Sequence, residues 1–221
     1  MIFDRFLKTI PLFFWFEVAA FIAATLSIKS IRKNYLLWFL PFLFFIVSVE
    51  VMGWYLPRVL HKHNAWIFNF SVPIEYLFYT FIFYRSLDSF KYKKVIRSLG
   101  VLYFLFCVVM LALYNIRIFQ NQILVVGNLL GIIYSCLFFY EILKKDVVVE
   151  LLKEPMYWIA CGVFLFNIGE LTYTLFRPVL TANRWDVTLA IFKTINNRLI
   201  FWLYGCITIG LLCSKFKRTS N

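Results

Sequence analysis

The amino-acid sequence predicts an all-α fold, a polytopic transmembrane bundle of seven helices that forms one domain over residues 1–221. Hydrophobic residues make up 62% of the chain and charged residues 15%, whereas soluble globular proteins are about 45–50% apolar and about 25% charged. The apolar residues are grouped into runs of about 20, the length that a helix needs to cross a bilayer. These runs lack the alternating polarity of outer-membrane strands. We therefore expect the lipid bilayer to surround this chain.

The first three predicted spans end at clear signals. Ile10–Ile28 is followed by the basic stretch Lys29–Lys33, and Leu36–Leu56 ends at Pro57. Trp66–Tyr84 is followed by a long stretch that contains five basic residues. Basic residues flank membrane spans more often than they occur within them, so these stretches are predicted to be connections.

Four more spans follow. Leu99–Tyr114 ends at a short polar turn, Gln122–Leu143 ends at a charged stretch, and Met156–Phe176 ends at an Arg-Pro pair. The seventh span ends near Ser214, but its start is undefined because Thr188–Arg198 mixes polar and apolar residues.

The first segment has an alternative interpretation. Arg5 and Lys8 precede its apolar run, as basic residues do in a secretory signal peptide. The run is long for a signal peptide, however, and more basic residues follow it. We predict that it is retained as a span.

The distribution of basic residues predicts the orientation. Placing the carboxyl terminus in the cytoplasm assigns 14 of the 23 Lys and Arg residues to the cytoplasmic side. Because cytoplasmic loops carry the excess of Lys and Arg, the amino terminus is predicted to be outside. The net charge of +12 does not indicate nucleic-acid binding, since the basic residues lie in separate short clusters and form no continuous stripe. No nucleic-acid partner is expected.

Polar residues inside the predicted spans identify a candidate site. Helical rise places Glu17, Glu50 and Glu170 about 9–11 Å below the predicted outer edge, and Glu75 at about 14 Å. An ionisable residue within a span is costly unless it faces water, a partner or the bundle interior. These glutamates therefore predict an acidic, outward-facing pocket that binds a ligand or ion. Its predicted members are Glu50, Glu75, Glu170, Asn128, Asn167, Asn197 and Glu17.

A structural role is the alternative for these residues. Glutamate and asparagine side chains within spans also stabilise helix contacts by about 0.6–2 kcal/mol for each hydrogen bond. Lys193 and Arg198 are the predicted counter-charges of the acids. The fourth span has almost no polar residues and is predicted to be peripheral.

No complete catalytic or cofactor motif is present in the sequence. The only two histidines, His61 and His63, lack the further ligands of a zinc site. Gly-rich phosphate loops and nucleophile-elbow motifs are also absent. No cofactor, metal or catalytic residue is therefore predicted, and an enzyme is not the leading hypothesis.

Several short motifs resemble those of a group of uncharacterised bacterial multi-pass membrane proteins of about this length. The motifs are Val49-Glu50, Asn64-x-x-Ile67-x-Asn69, Ile74-Glu75-Tyr76, Pro155-x-x-Trp158 and Glu170. The resemblance covers most of the chain and implies a shared helical fold in the bacterial inner (plasma) membrane. It implies no activity, because none is established for the group.

Three functional hypotheses follow. The leading one is a small-ligand or ion binding, sensing or transport protein that uses the acidic pocket. The others are a membrane-embedded enzyme that acts on a lipid, with Glu75 or Glu170 as acid or base, and a structural subunit of a membrane complex. Because the bundle takes up the whole sequence, sensing would require an unidentified membrane or signalling partner.

Overall fold

The computed structural model describes residues 10–144, 151–183, 185 and 190–219, without the side chains of 190, 192, 193 and 215–219. The described chain is an all-α bundle, as the sequence predicts. Six of its helices are long and apolar enough to cross a membrane, which is typical of a multi-pass integral membrane protein. A shorter apolar helix of 15 residues precedes them.

The helices are numbered here in chain order. A single helical turn, Ile28–Ile31, follows α1, and a 3₁₀ turn, Tyr35–Trp38, leads directly into α2. A second 3₁₀ turn, Leu151–Lys153, precedes α6. The longer helices of the described residues are α1 (Leu12–Leu26), α2 (Phe39–Arg58), α3 (Ala65–Ser86), α4 (Phe90–Leu113), α5 (Asn121–Leu143), α6 (Pro155–Ala182) and α7 (Ala190–Thr219).

Six of the helices form a closed ring, and the remaining one lies outside it. Contacts run from α1 to α2, then to α3, α5, α6 and α7, and α7 returns to α1. Helix α4 packs on the outside against α3 and α5, and only 28% of its apolar window is buried, the lowest share among the six candidate spans. The sequence prediction that the fourth span is peripheral is confirmed. The apolar segment of α4 has almost no polar side chains to place in a polar interior.

Three predicted boundaries were wrong because helices continue beyond the apolar segment. Helix α2 includes Pro57 in its last turn, and α6 passes through Pro178 and ends at Ala182. Helix α4 begins at Phe90, nine residues before the predicted start. Backbone hydrogen bonds stabilise a helix in the headgroup region as well as in hydrocarbon, so a hydropathy pattern marks the membrane-embedded part of a helix and not its ends.

Parts of the predicted topology near the two ends of the chain remain predictions. Helix α1 spans 15 residues, about 22 Å at the usual helical rise. That length is short for a complete crossing, so the seventh span stays a prediction. The predicted start of the seventh helix near Thr188 and the basic residues Arg5 and Lys8 lie outside the described residues.

Candidate functional site

A cavity of about 410 Å³ lies inside the helix ring. It occupies the half of the bundle where α3, α5 and α7 begin, which the basic-residue distribution predicts to be the outer half. Four glutamates from four different helices line it: Glu17 of α1, Glu50 of α2, Glu75 of α3 and Glu170 of α6. The ring therefore brings together acidic residues that are far apart in the sequence.

The cavity wall follows helical periodicity. Helix α7 contributes Asn196, Ile200, Leu203 and Tyr204, a spacing of four, then three, then one residue that lies on one helix face. On α6, Glu170 follows another lining residue by four positions. Each helix thus presents one face to the cavity, and the polar side chains lie on those faces.

Two buried carboxyl oxygens in the cavity have no hydrogen-bond partner among the described residues. They are Oε2 of Glu17, a side chain that is 2% exposed, and Oε2 of Glu170, which is 8% exposed. Glu75 differs, because its Oε1 accepts a hydrogen bond of 2.9 Å from the Tyr79 hydroxyl one turn along α3. Most buried polar atoms in proteins are paired, so unpaired acceptors on side chains that line a cavity indicate a place for a donor group.

The carboxyl groups are close enough to repel one another when they are ionised. Glu75 interacts electrostatically with each of Glu17, Glu50 and Glu170. No Lys, Arg or His side chain is among the described residues that line the cavity. Of the two predicted counter-charges, Arg198 is exposed and does not line the cavity, and the side chain of Lys193 lies outside the described residues.

A buried polar cluster supports one wall of the cavity. The hydroxyl group of Tyr76 donates to Oδ1 of Asn128 and lies 2.9 Å from Oδ1 of Asn167, so two amide carbonyls share its single proton. The Asn167 Nδ2 atom donates to the Val163 carbonyl oxygen at 2.6 Å. These bonds join α3, α5 and α6, and they hold the Tyr76 ring in place.

Two glycines of α5 make room for this cluster. A Cβ atom at Gly127 would lie 2.3 Å from the Tyr76 ring, and one at Gly131 would lie 2.5 Å from Asn167 Nδ2. Both distances are far below van der Waals contact, so only glycine permits this close helix approach. Helix α5 therefore contributes close packing at its two glycines and hydrogen bonding at Asn128.

The cluster also reaches the acidic residues. Asn128 lies close to the Glu170 carboxyl group. Neither Asn128 Nδ2 nor Glu170 Oε2 has a hydrogen-bond partner within the described part of the chain, however. The Asn128 amide lies within reach of the Glu170 carboxyl group and connects the buried cluster to the acidic residues.

Three of the predicted pocket residues do not line the cavity. Asn128 and Asn167 are fully buried behind Tyr76 and act through that side chain. Asn197 is exposed, and its neighbour Asn196 lines the cavity instead. Successive residues of a helix point about 100° apart, and the packing of α7 against its neighbours turns Asn196 toward the cavity.

Sequence reasoning also missed residues that close the end of the cavity. Asn64, which lines the cavity, donates from Nδ2 to the Gly53 carbonyl oxygen of α2 at 2.8 Å. Asn69 holds the α4–α5 connection, and that connection places the Phe119 side chain against the cavity. Both asparagines belong to the short Asn64-x-x-Ile67-x-Asn69 motif, which was the available signal.

Other candidate sites have fewer polar or charged groups that could bind a ligand. No group of three or more His, Cys, Asp or Glu side chains in the described ranges has the geometry to hold a metal ion. Two further hollows, of about 930 and 420 Å³, lie against the peripheral helix α4. Their charged lining residues are Arg177 and Arg97, respectively, and both hollows lie outside the helix ring, where a bilayer would supply lipid chains.

Comparison of the chain with protein-family models, with curated proteins and with solved structures finds no match.

Proposed function

We propose that this integral membrane protein binds a small ligand or ion in the acidic cavity and acts in sensing or transport. The observation that carries the proposal is the pair of buried carboxyl oxygens, Glu17 Oε2 and Glu170 Oε2, which belong to side chains that line the cavity and have no partner among the described residues. The bias in basic residues supports an opening on the outer side of seven spans. The resemblance to bacterial membrane proteins supports an inner-membrane location.

Hydrogen bonding distinguishes this proposal from a purely structural role. A glutamate that only stabilises helix contacts is expected to have its oxygens paired with groups of neighbouring helices. Leaving a buried acceptor unpaired costs about 1–3 kcal/mol, and more for a charged group. That two such atoms belong to side chains that line one cavity is consistent with a ligand that pairs them when it binds.

The size of the cavity supports a small ligand. Its volume of about 410 Å³ lies within the range of about 300–1,000 Å³ that is typical of small-molecule sites. Such sites are mostly apolar and contain a few polar groups that orient the ligand. The apolar residues around Glu17, Glu50, Glu75 and Glu170 match this composition.

Thermal unfolding of the full chain in lipid nanodiscs tests the proposal. The probes are sodium, potassium, magnesium and calcium ions, together with simple alkyl amines, alcohols and carboxylates. We expect at least one probe to raise the unfolding temperature of the wild type, because a ligand that binds only the native state stabilises it. The same probe should have little effect on Glu17→Gln and Glu170→Gln.

Asn197→Ala is the matched control, since Asn197 is exposed and does not line the cavity. This variant should respond to the probe as the wild type does. If no probe stabilises the wild type, or if the two glutamine variants respond fully, the acidic cavity is not a binding site and the structural role replaces the proposal.

A further inference from the structure

We infer that the ligand of the acidic cavity is a protonated amine with an apolar body. The inference rests on the proposed function and specifies the ligand of the same site. Charge, hydrogen-bonding capacity, cavity shape and aromatic lining each select this chemical class.

The charge of the lining residues indicates whether the ligand is a cation or an anion. The lining includes four carboxyl groups, and the described lining residues include no Lys, Arg or His to balance them. An anionic ligand would be repelled by the ionised form of these glutamates, whereas a cation favours that form. A cation also supplies the positive charge that the described lining residues lack.

The unpaired acceptors of the cavity side chains indicate the head group of the ligand. Glu17 Oε2 and Glu170 Oε2 are buried acceptors without a partner in the described chain. An ammonium group has three N–H donors and no acceptor, so it can donate to such an oxygen while its other N–H groups meet further acceptors of the lining. A quaternary ammonium group has no N–H donor and would leave both oxygens unpaired, which makes it a weaker ligand.

The spread of the carboxyl groups argues against a metal ion. Ca²⁺ needs about six to eight oxygen ligands at about 2.3–2.6 Å, which requires the acidic side chains to converge on one point. No three acidic side chains in the described ranges are close enough to hold a metal ion. The glutamates instead surround a volume of about 410 Å³, which is large enough for an organic molecule.

The aromatic lining suits the apolar body of such a cation. Phe68, Tyr76 and Tyr204 all line the cavity. The face of an aromatic ring attracts a cation by about 0.5–2 kcal/mol, and more strongly where water is excluded. Because Asn128 and Asn167 hold the hydroxyl group of Tyr76, this ring is already ordered before a ligand arrives.

Isothermal titration of the full chain in nanodiscs with three probes of one skeleton tests the inference. The probes are phenethylamine, 2-phenylethanol and phenethyltrimethylammonium, and calcium chloride is titrated separately. We expect phenethylamine to bind most tightly. Loss of one charge-assisted hydrogen bond in Glu170→Gln should weaken its binding by about tenfold or more, whereas Asn197→Ala should bind it as the wild type does.

The outcomes separate this inference from the proposed function. If 2-phenylethanol, the quaternary probe or calcium binds as tightly as the amine, and Glu170→Gln abolishes that binding, the amine inference fails while the proposed function stands. If none of the four probes binds, the amine inference fails, and the wider panel described above decides the proposed function. Should Glu170→Gln fail to fold, Glu17→Gln tests the same head group from another helix, and the ranking of probes on the wild type needs no variant.

Discussion

Two buried carboxyl environments at opposite ends of the bundle differ in how their oxygens are paired. Glu141 near the end of α5 accepts hydrogen bonds from the backbone N–H groups of Asp88, at 2.6 Å to Oε1, and Ser89, at 3.1 Å to Oε2. These two residues precede α4, so the carboxylate of one helix caps the start of another. In the cavity, Glu17 and Glu170 each keep a buried oxygen unpaired within the described chain.

The contrast shows why burial alone does not identify a functional acid. Glu141 is 9% exposed and Glu170 is 8% exposed, so their burial is nearly equal. A carboxylate that accepts hydrogen bonds from two backbone N–H groups at a helix start has a structural role. A carboxylate with an unpaired oxygen beside a cavity has capacity left for a ligand. Pairing therefore separates the structural glutamate from the candidate binding residues.

The largest effect on stability is expected for Glu141→Ala. Removing the carboxylate takes the acceptor from two backbone N–H groups and should lower the free energy of unfolding by about 2–4 kcal/mol. Amine binding by the folded fraction should be unchanged, because Glu141 is not a lining residue of the cavity. Thermal unfolding in nanodiscs and titration with phenethylamine measure the two effects. A variant of wild-type stability would show that the cap is dispensable.

A smaller loss of stability, with faster ligand exchange, is expected for Asn69→Ala. Asn69 Nδ2 donates to the carbonyl oxygens of Ile116 and Ile118, both at 2.8 Å, and its Oδ1 accepts from the Gln120 N–H group at 2.9 Å. Losing these bonds should cost about 1–3 kcal/mol.

The same change should loosen the connection that places Phe119 against the cavity. We expect the dissociation rate of phenethylamine to rise more than its association rate, as measured by surface plasmon resonance on captured nanodiscs. Unchanged kinetics would mean that this connection does not limit access to the cavity.

The pair Asn196→Ala and Asn197→Ala should separate a lining position from an exposed one. Asn196 lines the cavity and Asn197 does not, although the two residues have the same side chain and are adjacent. We expect about threefold to tenfold weaker amine binding for Asn196→Ala, the value of one neutral hydrogen bond. Asn197→Ala should match the wild type. If both substitutions weakened amine binding equally, the result would contradict the orientation of α7 that turns Asn196, and not Asn197, toward the cavity.

The smallest change in stability is expected for Glu170→Gln without ligand. An amide is cheaper to bury than a carboxylate and keeps the shape of the side chain. The free energy of unfolding should therefore stay within about 0.5 kcal/mol of the wild type, which is typical of a substitution that disturbs no structural feature. Urea titration of the apo protein measures this value. A loss as large as that of Glu141→Ala would assign Glu170 a structural role.

Composition and hydropathy were enough to predict the helical bundle, its apolar segments and the outer position of α4. They were also enough to place Glu17, Glu50, Glu75 and Glu170 at similar depth, because helical rise converts residue number into distance along the bundle axis. The depth of a residue along the bundle axis depends only on its position within its own segment. The membrane requires long apolar helices whatever their neighbours are.

Rotation and pairing depended on the tertiary structure. Whether Asn196 or Asn197 faces the cavity depends on the orientation of α7 about its own axis, which is set by its packing against the neighbouring helices. That Asn128 and Asn167 hold Tyr76 depends on how closely α3, α5 and α6 approach at Gly127 and Gly131. Such contacts join residues that are far apart in the chain, and only the packed ring decides which polar atoms find partners and which remain available to a ligand.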